Sequence, residues 1–213
     1  MEEKRGYHLP YKIGLISTHG VGKSTLVYQI AGELKKRSFT VEVITEVAGE
    51  LRKQGYPINN ETNLPAQFSI LLRQIEKEIE SSAKEYKCDV IISERTVNTD
   101  NLVYLERACG PHPFIPHLKE FMKQYSLFFP YSRVYLLPMV GDLQNDGIRD
   151  ASDKAFQMNV YDRLKKFLQE HNIDYIQLPV PEKDDEFREE WINMIVKNTI
   201  DDLGKMGLKK WIK

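Results

Sequence analysis

The run Gly20-Val21-Gly22-Lys23-Ser24-Thr25 follows the apolar segment Lys12-Ile13-Gly14-Leu15-Ile16 and opens a stretch with helical periodicity. Few folds accommodate that order of strand, glycine-bearing loop and helix. A loop of this composition turns successive backbone N–H groups inward. The helix beginning at Lys23 sets the positive end of its dipole behind them, which makes a concavity suited to a polyphosphate. Lys23 then places a point charge on the β- and γ-phosphates, and the Ser24 hydroxyl supplies a ligand for Mg²⁺. Nucleotide contacts are expected from Thr18, His19, Gly20, Val21, Gly22, Lys23, Ser24 and Thr25. Against the pattern G-x-x-x-x-G-K-[ST] the departure is Ser17, which stands at the first position in place of the most permissive backbone residue.

The remaining chain alternates between two periodicities. Five short apolar, β-branched runs, Lys12 to Ile16, Val41 to Thr45, Asp89 to Ser93, Arg133 to Leu137 and Asp174 to Leu178, are separated by helical pattern. Parallel strands need long crossovers that cover the sheet, so the expected fold is α/β, a three-layer sandwich with a mostly parallel sheet of about five strands and helices on both faces. The first and third runs, nearly all apolar, belong at its centre. Leu64, Phe68, Leu71, Ile75 and Ile79 recur at helical spacing and mark a long amphipathic helix, on which Gln67, Gln74 and Glu78 share a polar side. The proline-broken stretch Gly110 to His117 reads as a loop. Its two histidines, His112 and His117, lack the neighbouring thiols or carboxylates of a metal site.

At 213 residues the chain suits one globular domain over residues 1–213. Thirty Lys and Arg against 31 Asp and Glu leave a formal net charge of −1, so no general attraction draws the chain to nucleic acid or to an anionic membrane. The charged start Met1-Glu2-Glu3-Lys4-Arg5 lacks the apolar core of a signal peptide, and the expected location is the cytoplasm. Two cysteines, Cys88 and Cys109, are too few for a disulfide framework.

In an open parallel sheet, ligands gather at the carboxyl ends of the strands, so polar residues just after each run are the candidates for chemistry. Glu46, after the second run, suits a base that takes a proton from an acceptor hydroxyl, with an acid in the first turn of a helix as the alternative. Glu94 ends an apolar strand and suits Mg²⁺, directly or through water, with a helix cap as the alternative. Arg95 suits bidentate contact with a phosphate, or an ion pair with Glu46 or Glu94. Asp142 to Asp150 is rich in turn formers and reads as a mobile lid over about residues 140–153 that lowers Arg149 onto the transferring phosphates. The acidic spacing in that segment also approaches a calcium-binding loop. Asp153 stands where a bidentate Glu is needed, however, and Arg149 where an apolar residue is needed.

Together, Ser17 to Leu26, Ile44 to Ala48, Glu94-Arg95-Thr96 and Asp146-Gly147-Ile148-Arg149 resemble the P-loop nucleoside and nucleotide kinases. The likeness is to the small AAA-type ATPase/kinase group that includes ribosylnicotinamide kinase domains, and the triplet is similar to the Glu-Arg-Ser motif of deoxynucleoside kinases. The resemblance implies a P-loop NTPase fold with ATP and Mg²⁺ as cofactors. It also implies Glu46 as base, Glu94 on the metal, Arg95 on the reacting groups, and Gln67 or Gln74 reading the base of the acceptor. Gly49 stands where the small kinases often have an arginine, with Arg52 one helical turn on, and Arg163 is the candidate second arginine beyond the lid. Dimers are an expectation from the resemblance. The function expected is transfer of the γ-phosphoryl group of Mg-ATP to a small-molecule acceptor, a nucleoside, nucleotide or related ribosyl compound. The alternative is a P-loop ATPase that acts as a switch on a macromolecular partner.

Overall fold

A computed structural model describes residues 9–45, 47–58, 61–83, 88–139, 154–180 and 187–207. Along the chain these form β1 (Tyr11–Ile16), α1 (Lys23–Lys36), β2 (Val41–Ile44), α2 (Ala48–Lys53), α3 (Leu64–Ala83), β3 (Val90–Ser93) and α4 (Asp100–Cys109), then α5 (Phe114–Phe128), β4 (Arg133–Leu136), α6 (Lys154–Glu170), β5 (Ile176–Gln177) and α7 (Phe187–Lys205). The five strands make one sheet in the order β2-β3-β1-β4-β5, every neighbouring pair parallel. All five expected strands form. β1 and β3 lie side by side inside the sheet, where their buried, nearly continuous apolar sequences require them to be.

The pleat of β1 divides the core. Tyr11, Ile13 and Leu15 point to one face, where they pack with Leu26, Ile30 and Leu34 of α1 and with Trp191, Ile195 and Leu203 of α7. A second cluster joins α3, α4, α5 and α6 on the opposite face, so helices cover both sides of the sheet. α1 buries Leu26, Val27, Ile30, Ala31 and Leu34 at three- and four-residue spacing, and the chain leaves it through Ser38 at φ 65. Asp202 ties α7 to the starts of β1 and β4 by accepting from Tyr11 at 2.7 Å and from Arg133 Nε at 2.6 Å.

Two local expectations change. The proline-rich stretch is a loop only as far as Pro113; α5 starts at Phe114 and takes in His117, because Pro116 sits in the first turn, where a missing N–H removes no helical bond. On α3, Leu64, Phe68, Leu71 and Ile75 pack into the second cluster as expected, but the side that bears Gln67, Gln74 and Glu78 is buried too, while Leu72 and Ile79 are 48% and 40% exposed. The cause is Lys12 in the middle of the sheet, whose charge needs a buried partner, and Glu78 supplies it at 2.7 Å.

Candidate functional site

The loop between β1 and α1 is shaped by three neighbours. Ser17, fully buried, donates its hydroxyl to the carbonyl of Leu137 at 2.9 Å and so pins the start of the loop to the end of β4. Ser17 is not among the residues with positive φ, which explains why glycine is dispensable there. Gly20 and Gly22 are different: their φ values of 76 and 81 lie in the left-handed region, and Gly22 caps α1. Gln157 of α6 donates to the carbonyl of His19 at 3.4 Å, and the His19 ring lies 5.2 Å from that of Phe156. On the other side, a Cβ on Gly22 would come 3.3 Å from the guanidinium of Arg188 in α7.

Lys23 is 2% exposed, and its ammonium donates to the carbonyls of Thr18 and, at 3.4 Å, Ser17. It thus stands over the loop's own concavity. Ser24 donates its hydroxyl to Glu94 Oε1 at 2.5 Å, which brings together the two residues expected to hold magnesium although they are 70 positions apart. The parallel pairing of β1 with β3 causes this meeting, with Gly14 opposite Ser93. Arg95 is 6% exposed and stacks its guanidinium 4.2 Å from the ring centre of Tyr104, held flat against the first turns of α4.

Those first turns carry groups that the sequence reading missed. Asp100, fully buried, accepts the Thr96 N–H at Oδ1 at 2.6 Å, while its Oδ2 has no hydrogen-bond partner. The amide of Asn101 has none at either end, and the Tyr104 hydroxyl has none. Burial pushes the Asp100 carboxyl up to about 6, opposed by the nearby charges of Arg95 and Lys23 and by the Thr96 amide. Buried polar groups without partners are costly, and a surface of them beside a lysine and an arginine suits a polar ligand that would satisfy them. The available signal was the spacing: Asp100 and Tyr104 are four apart on the helix that directly follows Glu94-Arg95.

Other expected site residues fall elsewhere. Gln74 is 1% exposed and donates its amide nitrogen to Ser93 Oγ at the end of β3 at 2.6 Å. Gln67 donates to Thr62 Oγ1 at 2.8 Å. Arg52 lies on the exposed side of α2, and Arg163 is exposed and bonded to Asn159 on its own helix at 3.0 Å. Glu46, Arg149 and the segment read as a lid lie outside the described residues.

A parallel sheet centred on β1, a loop with two left-handed glycines, a buried lysine opening α1 and a serine bonded to the acid just after β3 define the P-loop NTPase fold. Residues 12–185 match the AAA domain family, and the chain belongs to that family. Among solved structures the fold is similar to the NadR protein in complex with NAD and AMP-PNP, at a TM-score of 0.70 and 12% identity over 91% of this chain. It is similar also to NadR in complex with NR, at a TM-score of 0.68 and 14% identity. The chain spans about half of each, 50% of their length. No curated protein matches it.

The residues present fit a magnesium nucleotide. The loop offers main-chain donors at positions that only glycine adopts freely, and Ser24 with Glu94 offers the hard oxygen donors magnesium takes. Among the described residues no group of three or more His, Cys, Asp or Glu forms a cage. Phosphates and water would complete the coordination, as is usual for this ion. No helix among the described residues is long and apolar enough to cross a membrane.

Proposed function

We propose that the protein is a kinase that transfers the γ-phosphoryl group of Mg-ATP to a small acceptor, a nucleoside, nucleotide or related ribosyl compound. The observation that carries this reading, over an ATPase that switches a macromolecular partner, is the set of unsatisfied buried polar atoms on Asp100, Asn101 and Tyr104 beside Arg95. Hydrolysis needs no such surface; an acceptor with hydroxyl and amide groups does. The sequence resemblance to ribosylnicotinamide and deoxynucleoside kinases points the same way.

In this reading the backbone from Thr18 to Thr25 binds the triphosphate and Lys23 moves its ammonium from the loop carbonyls to the β- and γ-phosphates. Magnesium, once bound, neutralises developing charge on the phosphates. Ser24 and Glu94 would hold it, and Arg95 orients the transferring group from the Tyr104 ring on which it stacks. Asp100 and Asn101 orient the acceptor. Glu46 is assigned the proton from the acceptor hydroxyl, and Arg149 the closing contact, on their sequence positions alone. Catalysis is positioning plus charge stabilisation.

The test offers labelled ATP with a panel of nucleosides, nucleoside monophosphates and ribosylnicotinamide and follows the label. Label in an acceptor supports the reading. Label only in inorganic phosphate, whatever the acceptor, replaces it with the ATPase switch. Tyr104→Phe is expected to raise the acceptor KM several-fold and leave the ATP KM unchanged.

A further inference from the structure

Behind the site, on the face of β1 that looks toward α3, lies a network of buried polar groups for which nucleotide binding alone gives no reason. Lys12 is 3% exposed; its ammonium reaches Glu78 Oε2 and the carbonyl of Phe129, each at 2.7 Å, and lies 4.1 Å from the ring centre of Tyr131. Glu78, fully buried, also accepts from the hydroxyls of Tyr131 and, at 2.8 Å, Tyr125. Burial pulls the Lys12 ammonium down and the facing Glu78 carboxylate holds it up. Removing two charges from water is expensive, and apolar residues of the same volume would join the elements at least as well.

Besides the bond from Lys12 to Phe129, three bonds lead from the network to one short segment. Gln74 lies 3.4 Å from Glu78 Oε1, and its amide nitrogen donates to Ser93 Oγ at 2.6 Å and to the Arg95 carbonyl at 3.4 Å. The Tyr131 hydroxyl accepts the N–H of Val97 at 3.0 Å. The bend from Ser93 to Val97 is therefore held at its first side chain, its middle carbonyl and its last amide, and Glu94 and Arg95 ride on it. Below it, Gly14 leaves the room: a Cβ there would come 2.3 Å from Thr96 Cγ2 and 3.1 Å from the Tyr131 ring.

We propose that Gln74, backed by Glu78 and Tyr131, is a positioning residue that fixes the backbone of residues 93–97 so that Glu94 and Arg95 meet a magnesium-bound polyphosphate in register. This rests on the reading of the site given above. Gln74 touches neither metal nor phosphate; it acts through the peptide groups that flank the acid and the arginine. Supporting groups of this kind commonly change metal affinity by about 10- to 100-fold when removed.

The test uses Gln74→Met, which keeps the length and loses the donor, and Tyr131→Phe, which keeps the ring and loses the acceptor. Two readouts are taken on the whole chain. One is amide hydrogen exchange over residues 93–97 without ligand; the other is the Mg²⁺ concentration giving half-maximal binding of a fluorescent ATP analogue, with the affinity without magnesium as reference. Both variants are expected to speed exchange in that segment and to raise the Mg²⁺ midpoint about ten-fold, with the metal-free affinity within about two-fold of the parent. In a cycle with Ser93→Ala, the pair Gln74→Met and Ser93→Ala should be no worse than Gln74→Met alone.

Unchanged exchange overturns the proposal, as does faster exchange with an unmoved Mg²⁺ midpoint, since the network would then be structural only. A fall in metal-free affinity as large as the magnesium effect also overturns it. Failure of the underlying reading looks different: the parent protein, and not only the variants, would bind the analogue without any dependence on Mg²⁺, and Glu94→Gln would change nothing.

Discussion

A lysine with its ammonium on two carbonyls of its own loop is the residue on which the site's chemistry turns. Lys23→Ala removes a charge for which neighbouring peptide groups cannot substitute, so turnover is expected to fall by about 10³-fold or more while the circular dichroism spectrum is retained. An assay showing parental phosphoryl transfer would remove Lys23 from the mechanism. Asp100 gives a prediction of opposite sign for stability. Its carboxyl is raised by burial from 3.8 to about 6, so folding favours the protonated form. That contribution is fully present below the unfolded value and is lost as pH rises through 6. Without nucleotide, Asp100→Asn should therefore melt higher than the parent at pH 8, by roughly 3 °C, with the gain absent at pH 4. Equal differences at both pH values would show that Asp100 is not held protonated by burial. The loop residues were legible because glycine, lysine and serine each have a separate reason to stand where they do. Asp100 was not, because an acid in the first turn of a helix is explained by the dipole alone, and its buried, unpartnered oxygen is visible only in three dimensions.

Among the elements, α3 shows how a sound pattern tells only part of the burial: Leu64, Phe68, Leu71 and Ile75 pack into the core as expected, and the polar side is buried as well. Its apolar residues do recur at helical spacing, and the helix forms over the expected range. Lys12, however, is one charge in an apolar strand, and the residue that answers it is 66 positions away. No local window holds both. With the polar side turned inward, Leu72 and Ile79 are left outside. β1 imposes a matching demand at Gly14. Gly14→Ala is expected to cost about 2 kcal/mol in denaturant unfolding, since neither Thr96 nor the Tyr131 ring can retreat without moving the bend that carries Glu94. A variant as stable as the parent would mean that the two segments are not packed against each other as described. α7 is held by Asp202, whose carboxyl the Arg133 guanidinium, and then the Tyr11 hydroxyl, hold well below the usual carboxylate range. That contribution is present above the unfolded pKa of 3.8 and is lost as pH falls. At pH 7, Asp202→Asn should lower stability by about 2 kcal/mol, read from urea unfolding, and the difference should shrink toward pH 3.

For the whole molecule, the order β2-β3-β1-β4-β5 places the ends of β1 and β3 side by side, and with them Ser24 and Glu94. Strand existence was readable from β-branched runs, and the central place of β1 and β3 from their unbroken apolarity. Which residues after those strands would touch was not readable, since it depends on pairing register. A ligand that binds only the assembled sheet must stabilise all of it. Mg-ATP at a hundred-fold excess over its Kd is expected to raise the melting midpoint by about 5–10 °C, and the rise should vanish for Lys23→Ala. A shift of equal size in the variant would place the nucleotide elsewhere.

The hydroxyl of Ser17 on the first carbonyl beyond β4 has one more consequence. Because that bond and the left-handed glycines already give the loop its curve, an incoming anion finds donors aimed before it arrives, and little chain ordering is left for the moment of contact. Stopped-flow traces of association should then be single exponentials whose rates climb linearly with ligand concentration, set by diffusion and charge steering, with no slow isomerisation preceding capture.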